Sequence, residues 1–180
     1  MGGPTAGVPK RRKRNGFWST LFVDLLRVAI ALAILHAFVF NFSLVRGSSM
    51  QPCIFDGDRL LVDKISYSLA EVKRFDVVIL TCPKEPTVDY VKRIIGLPND
   101  QVELKDGRLF VNGETLTEPF VPVCDYAGDG TWRVPAGHFF VLGDNRPVSS
   151  DSREGWCVAR TAIRGKVRAC FWPLGRAQVF

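Results

Sequence analysis

Apolar and polar positions change their spacing once along the chain. From Val28 to Val45 the residues read VAIALAILHAFVFNFSLV, a run of about 18 positions with no formal charge. A helix of that length, rising 1.5 Å per residue, spans about 27 Å, close to the thickness of a bilayer's hydrocarbon core. The pattern predicts a transmembrane anchor over 17–45, behind a tail over 1–16. Asp24 and Arg27 stand three apart, the spacing of neighbours on one helix face, and can pair at the interface. His36 and Asn41 are polar within the run and call for a partner or a headgroup. The same run also fits a buried helix of a soluble core or a cleavable leader, but Ala29, Ala31 and Ala33 lie inside it and the exit is Leu44-Val45-Arg46, which favours an uncleaved anchor.

Beyond Val45 the helical spacing gives way to short alternating runs. Arg59–Ile65, Asp76–Thr81, Tyr90–Ile95, Gln101–Leu104, Arg108–Val111, His138–Leu142 and Lys166–Phe171 read as strands. Asp106-Gly107 and Asn112-Gly113, each set between strand-like residues, are two-residue hairpin turns. No convincing helical period follows the anchor, so 46–180 is expected to be one mainly antiparallel β domain. After tail and anchor the remainder is long enough for a single modest core.

Charge sharpens the membrane reading. The net +6 is concentrated in Lys10-Arg11-Arg12-Lys13-Arg14, directly before the apolar run. Basic residues flank the cytoplasmic side of a span, so the block is expected to keep the N-terminus in the cytoplasm and send residues after Val45 across, with a nucleic-acid patch as the weaker reading. Cys53, Cys82, Cys124, Cys157 and Cys170 lack metal-ligand spacing, and no metal or cofactor is expected. Five is odd, so one thiol at least stays unpaired in a monomer.

The candidate chemistry begins with Ser49 in Gly47-Ser48-Ser49-Met50-Gln51-Pro52. It lies four residues past Val45, only about 13 Å of extended chain from the apolar boundary, so its target must be near the membrane. A serine hydroxyl needs a base, and the only histidines are His36, inside the apolar run, and His138. Lysine is the other candidate. Lys92 in Tyr90-Val91-Lys92-Arg93-Ile94-Ile95-Gly96 sits on a strand whose two faces are both rather apolar; if it points inward, desolvation lowers its pKa toward neutrality. A third element, Gly143-Asp144-Asn145-Arg146-Pro147-Val148-Ser149-Ser150-Asp151-Ser152-Arg153, concentrates hydroxyls, carboxylates and guanidiniums on one loop. Its bland reading is a turn held by Asp–Arg pairing.

Together these elements resemble the type I signal peptidase family, membrane-bound Ser-Lys proteases that remove leader peptides. GSSMQP is similar to its nucleophile box, GDRLLVDKISY to the next strand box, RFDVVIL with DYVKRIIGLPND to the lysine box, GDNRPVSSDSR to the C-terminal box and FWPLGR to the closing strand. The resemblance implies a signal peptidase-like antiparallel β fold, with Ser49 as nucleophile and Lys92 as general base. It implies that Ser149 orients the lysine and that Asp151 with Arg153 braces the loop. For the oxyanion it points to the Ser49 N–H, with the position of a second donor in one branch of the family occupied here by Gly47. Cys53, Phe75 and Pro147-Val148 depart from the family pattern.

The implied partners are signal-peptide-bearing preproteins, bound extended beside a strand edge with small residues one and three positions before the cut, and membrane lipid; nucleic acid is not among them. Two other classes share parts of this reading. A self-cleaving repressor has Ser-Lys chemistry but needs a DNA-binding helical region where this chain has an anchor. A non-catalytic membrane-anchored β domain would keep the fold without needing Ser49 and Lys92.

Overall fold

A computed structural model of the chain describes residue 3, residues 16–65, 67, 70–121 and 129–180, and the backbone but not the side chains of 34–38. The basic block at 10–14, the His36 side chain and Cys124 lie outside the described residues. Contacts divide the chain into Met1–Ala37 and Phe38–Phe180.

Helix α1 runs Gly16–Val39, 24 residues of mostly Leu, Ala, Val and Phe, and its first 22 residues belong to the first unit. Its Gly16–Ala33 window has a mean hydropathy of 1.6, long and apolar enough to cross a membrane. Asp24 and Arg27 pair at 3.2 Å on this helix. The charge-free part of α1 is therefore Val28–Val39, shorter than the run read from the sequence, and the apolar window extends N-terminally past the ion pair.

Residues 40–44, expected to continue the anchor, form a strand instead. Phe40-Asn41-Phe42-Ser43-Leu44 alternates apolar and polar with a period of two, and all five residues pair with the strand Arg59–Asp63. Among the described residues the strands are β1 Phe40–Leu44, β2 Arg59–Asp63, β3 Val77–Thr81, β4 Asp89–Gly96, β5 Gln101–Lys105, β6 Arg108–Val111, β7 Glu114–Thr115, β8 Gly130–Arg133, β9 His138–Leu142, β10 Val158–Ala159, β11 Ile163–Trp172 and β12 Gln178–Val179. Every pairing is antiparallel. The larger sheet has the order β1-β2-β11-β3-β4-β9-β10 with β12 on β11, and the smaller has β7-β6-β5-β8.

The seven strands read from the sequence all occur, with β11 extended at both ends; β1, β7, β8, β10 and β12 were not foreseen. Both hairpin turns form as read. Asp106 and Gly107 have φ 49° and 68°, Asn112 and Gly113 53° and 84°, the left-handed pair that a two-residue turn between twisted strands requires.

One apolar cluster, with Ile95, Val102, Leu104, Leu109, Phe140 and Leu142, joins the two sheets. A second gathers Met50, Ile54, Leu60, Val62, Ile79 and Val167 beneath the segment after β1. A third holds Val78, Leu80, Ile94, Val141 and Val158 on the larger sheet. Strand β4 takes part in all three. Its last five residues, 92–96, are all buried, and they include two cations, Lys92 and Arg93, only 3% and 6% exposed.

Candidate active site

The chain leaving β1 is pinned before it reaches Ser49. Val45 is buried and exchanges backbone bonds with the 57–58 turn, its N–H donating to Asp58 O at 2.9 Å and its carbonyl accepting from Gly57 N at 3.0 Å. Gly47 then adopts φ +101°, a left-handed conformation that glycine takes without a Cβ penalty. Met50 and Ile54 anchor the far side in the core, and Ile54 N donates to Met50 O at 2.9 Å. Between these points Ser48 is exposed and Ser49 half-buried.

Lys92 Nζ lies 2.8 Å from Ser49 Oγ, in a hydrogen bond between β4 and this loop. Both residues line one cleft of about 560 Å³, with Val45, Ile79, Tyr90 and Val148 among its walls. Burial, the dominant influence, pushes the Lys92 pKa down from 10.5 to about 8; the Asp151 carboxylate pulls it the other way, and Arg153 lowers it again. The Tyr90 ring centroid is 5.1 Å from Nζ. His138 is not among the cleft residues, and its Nδ1 is bonded to Ala136 O at 3.0 Å. The arrangement can hold a neutral amine against a serine hydroxyl, which is what proton transfer from that hydroxyl requires.

The 143–153 loop closes the site. Arg153 grips both oxygens of Asp151, Nε to Oδ1 at 2.8 Å and Nη2 to Oδ2 at 3.1 Å, and the carboxylate also accepts from Gly143 N at 3.1 Å. Arg153 Nη2 further donates to the carbonyls of Arg146 and Ser149, at 2.6 and 3.3 Å. The two ends of the loop are thereby tied together. Ser149 departs from its expected contact: its Oγ is buried but has no hydrogen-bond partner, so no bond joins it to Lys92. Gly47 departs as well. Its N–H donates to Asp56 Oδ1 at 2.8 Å and it has no side chain, so it offers nothing to an oxyanion, whereas no acceptor engages the Ser49 N–H among the described residues.

Several groups that shape the site were not singled out from the sequence. Asp144 receives Arg93 bidentately, Nε at 2.8 Å and Nη2 at 2.6 Å. Arg146, 1% exposed, meets Glu118 across the loop through both terminal nitrogens and donates from Nε to Gly143 O at 2.9 Å. A Cβ on Gly143 would collide with Ser149 Oγ and lie 2.5 Å from the Ser49 carbonyl, so only glycine lets this loop approach the serine. Arg176 near the C-terminus holds Asp58, with Nη2 at 2.6 Å, and Asp58 in turn accepts from Phe55 N. A Gly-Asp-Asn run straight after a buried strand was the available signal for Asp144 itself; its pairing with Arg93 and that of Arg146 with Glu118 leave no local trace.

The family model for signal peptidase, peptidase S26, matches residues 18–172. The chain belongs to this family. It is 39% identical to signal peptidase I of Bacillus amyloliquefaciens, covering 94% of this chain and 93% of that one. It is 40% identical to signal peptidase I of Bacillus caldolyticus, with 91% and 94% covered. A solved signal peptidase I from Enterococcus faecalis V583 superposes with a TM-score of 0.49 at 34% identity, covering 53% of this chain and 96% of that one.

Membership in the signal peptidase family makes the chain a peptidase, and the structure gives it one N-terminal apolar helix, α1. Its departures from the family pattern have local explanations. Phe75 has a glycine-like φ of 72°, and its ring packs edge-on to Phe120 at 5.2 Å. Cys53 is half-buried, with burial raising its thiol pKa to about 11, so it stays protonated near neutrality. Pro147 and Val148 fall in a 3-10 turn, Arg146–Val148, which starts well with proline, and Val148 faces the cleft.

Proposed function

We propose that this signal peptidase family member cleaves N-terminal signal peptides from preproteins with Ser49 as nucleophile and Lys92 as general base. The observation that carries the proposal is the 2.8 Å contact between Ser49 Oγ and an amine buried enough to have its pKa lowered to about 8. With Lys92 neutral, the Ser49 hydroxyl donates to Nζ. As Oγ attacks the scissile carbonyl carbon, its proton passes to Nζ and the C=O electron pair moves to oxygen. The Ser49 N–H donates to that oxyanion. The ammonium then protonates the departing amine, which leaves as the mature protein's N-terminus, and an ester remains on Ser49. Water attacks the ester carbonyl with Lys92 again accepting a proton; as the intermediate collapses the ammonium returns that proton to Ser49 Oγ, and the signal peptide leaves as an acid.

The preprotein lies extended in the cleft, with small residues at the first and third positions before the cut. Ser149, a buried hydroxyl with no other partner, turns to Nζ when Lys92 is protonated. Asp151 and Arg153 keep the loop in place. The apolar helix anchors the chain in a membrane lipid bilayer, with the N-terminus in the cytoplasm and residues after the helix on the other side.

The test uses the full chain in detergent with a precursor carrying an Ala-x-Ala site. Wild type and Ser48→Ala release the mature protein, while Ser49→Ala does not; retention of activity in Ser49→Ala would sink the assignment. Activity should rise through a limb near pH 8 and keep that limb in His138→Ala. A limb near pH 6.5 that vanished in His138→Ala would assign the base to histidine instead.

A further inference from the structure

Ser49 is held from both sides by a single residue of the opposite loop. Asn145 N donates to Ser49 O at 3.0 Å, and Asn145 Nδ2 donates to Ser48 O at 3.1 Å. These two carbonyls belong to the peptide units that flank the Ser49 Cα. A peptide unit is planar and, when trans, points its N–H opposite to its C=O. The Ser48–Ser49 bond is not among the cis bonds of the described chain. Holding Ser48 O toward Asn145 therefore turns the Ser49 N–H, the proposed oxyanion donor, away from the loop and onto its other side.

Ser48 O also accepts from Gln51 N at 3.2 Å, but that bond lies within the turn and moves with it. Asn145 is the tie to the rest of the domain. Its neighbour Asp144 is locked to Arg93, and Arg93 is the residue after Lys92. A continuous path thus runs from the base through Arg93, Asp144 and Asn145 to both peptide units of the nucleophile.

We infer that Asn145 is a positioning residue that aims the Ser49 amide at the oxyanion and sets the register between Ser49 and Lys92. The inference rests on the Ser-Lys reading above. Its side-chain and backbone bonds have separable roles, since Asn145→Ala removes the first and keeps the second.

The experiment measures precursor cleavage by the full chain in detergent, as kcat and KM across pH, beside thermal unfolding. Removing an oxyanion donor costs roughly 100- to 1000-fold in turnover, so loosening one should cost ~10- to 100-fold. Asn145→Ala is expected to lose that factor in kcat with KM, the limb near pH 8 and the unfolding temperature unchanged. Asn145→Asp, nearly isosteric, sets an acceptor against the Ser48 carbonyl and should lose more than Asn145→Ala. Affinity for a peptide aldehyde, whose adduct on a serine hydroxyl is tetrahedral, should fall by the same factor as kcat.

Wild-type kcat in both variants overturns the inference, as does a loss that tracks unfolding or a pH limb that shifts in Asn145→Ala. Cleavage surviving in Ser49→Ala would instead remove the Ser-Lys reading itself, a result these Asn145 measurements cannot produce.

Discussion

Lys92 and Arg93 are neighbours on one strand, equally buried, and point to opposite faces of β4. On the Arg93 side the cation meets a carboxylate through two bonds to Asp144, a third bond to Phe75 O at 3.0 Å and the Phe120 ring at 3.9 Å. On the Lys92 side the amine meets one hydroxyl and the edge of an open cleft. A buried charge that is paired and fully bonded keeps its charge; one offered only a neutral partner gives it up. Two adjacent cations thus become a structural strut and a base, and the partner decides which.

The largest separation between the two sides lies in turnover. Lys92→Ala should lower precursor cleavage by on the order of 10⁴-fold or more, because nucleophile and base act as a unit. It should leave the protein folded. Circular dichroism beside initial rates checks both halves, and a Lys92→Ala protein that still cleaves would end the distinction drawn here.

The Arg93 side should fail through stability instead. Asp144→Ala strands a guanidinium in the interior, and breaking a buried pair this way costs about 3–5 kcal/mol. Denaturant unfolding should show that loss, with activity falling alongside it. Replacing both partners, Arg93→Met with Asp144→Leu, should recover much of the stability. If the double variant is no more stable than Asp144→Ala, the pair does not carry the strut.

How much of this contrast can be read from a sequence depends on how far apart the partners are. Ser49 and Lys92 stood out because each sits in an unusual local setting, a Gly-Ser turn after an apolar run and a lysine within an apolar strand. The paired turns at 106–107 and 112–113 were legible because φ > 0 at two successive residues admits few residue types. Nothing local says that Arg93 finds Asp144, 51 positions away, or that Arg146 finds Glu118. β1 was hidden for a different reason. Phe40–Leu44 is apolar enough to extend the helix pattern, and only its pairing with β2 decides for a strand. Gly47 and Ser149 were placed by resemblance, which carries residue types across but not which N–H or hydroxyl is already engaged.

A third way to sharpen the contrast is pH. Folded Lys92 releases its proton near pH 8, whereas in the unfolded chain the amine titrates near 10.5. Between those values the unfolded state holds a proton that the folded state lacks, so wild type gains stability as pH rises through the window. Below about pH 8 both states are protonated and the cost of burying the charge is complete, about 3 kcal/mol. Lys92→Met should therefore be more stable than wild type below pH 8, with the advantage shrinking toward pH 10.5. An advantage that stayed constant across that range would mean the folded amine is not depressed.

The smallest effect concerns the shell of Arg93. Phe75 holds its carbonyl toward the Arg93 guanidinium from a left-handed backbone position, φ 72°, that costs a residue with a Cβ about 1–2 kcal/mol. The half-buried ring offsets that cost by packing on Phe120 and the neighbouring cluster. Phe75→Gly removes strain and packing together, and a half-buried ring is worth about 2 kcal/mol, so the net loss should be about 1 kcal/mol. Phe75→Ala loses the ring but keeps the strain. Alanine should therefore be the worse substitution by about 1 kcal/mol, reversing its usual advantage over glycine. Cleavage rates should stay within about twofold of wild type, because the carbonyl that receives Arg93 belongs to the backbone and survives both changes. Denaturant midpoints of the two variants decide the matter, and an alanine variant more stable than the glycine one would show that this backbone is not strained.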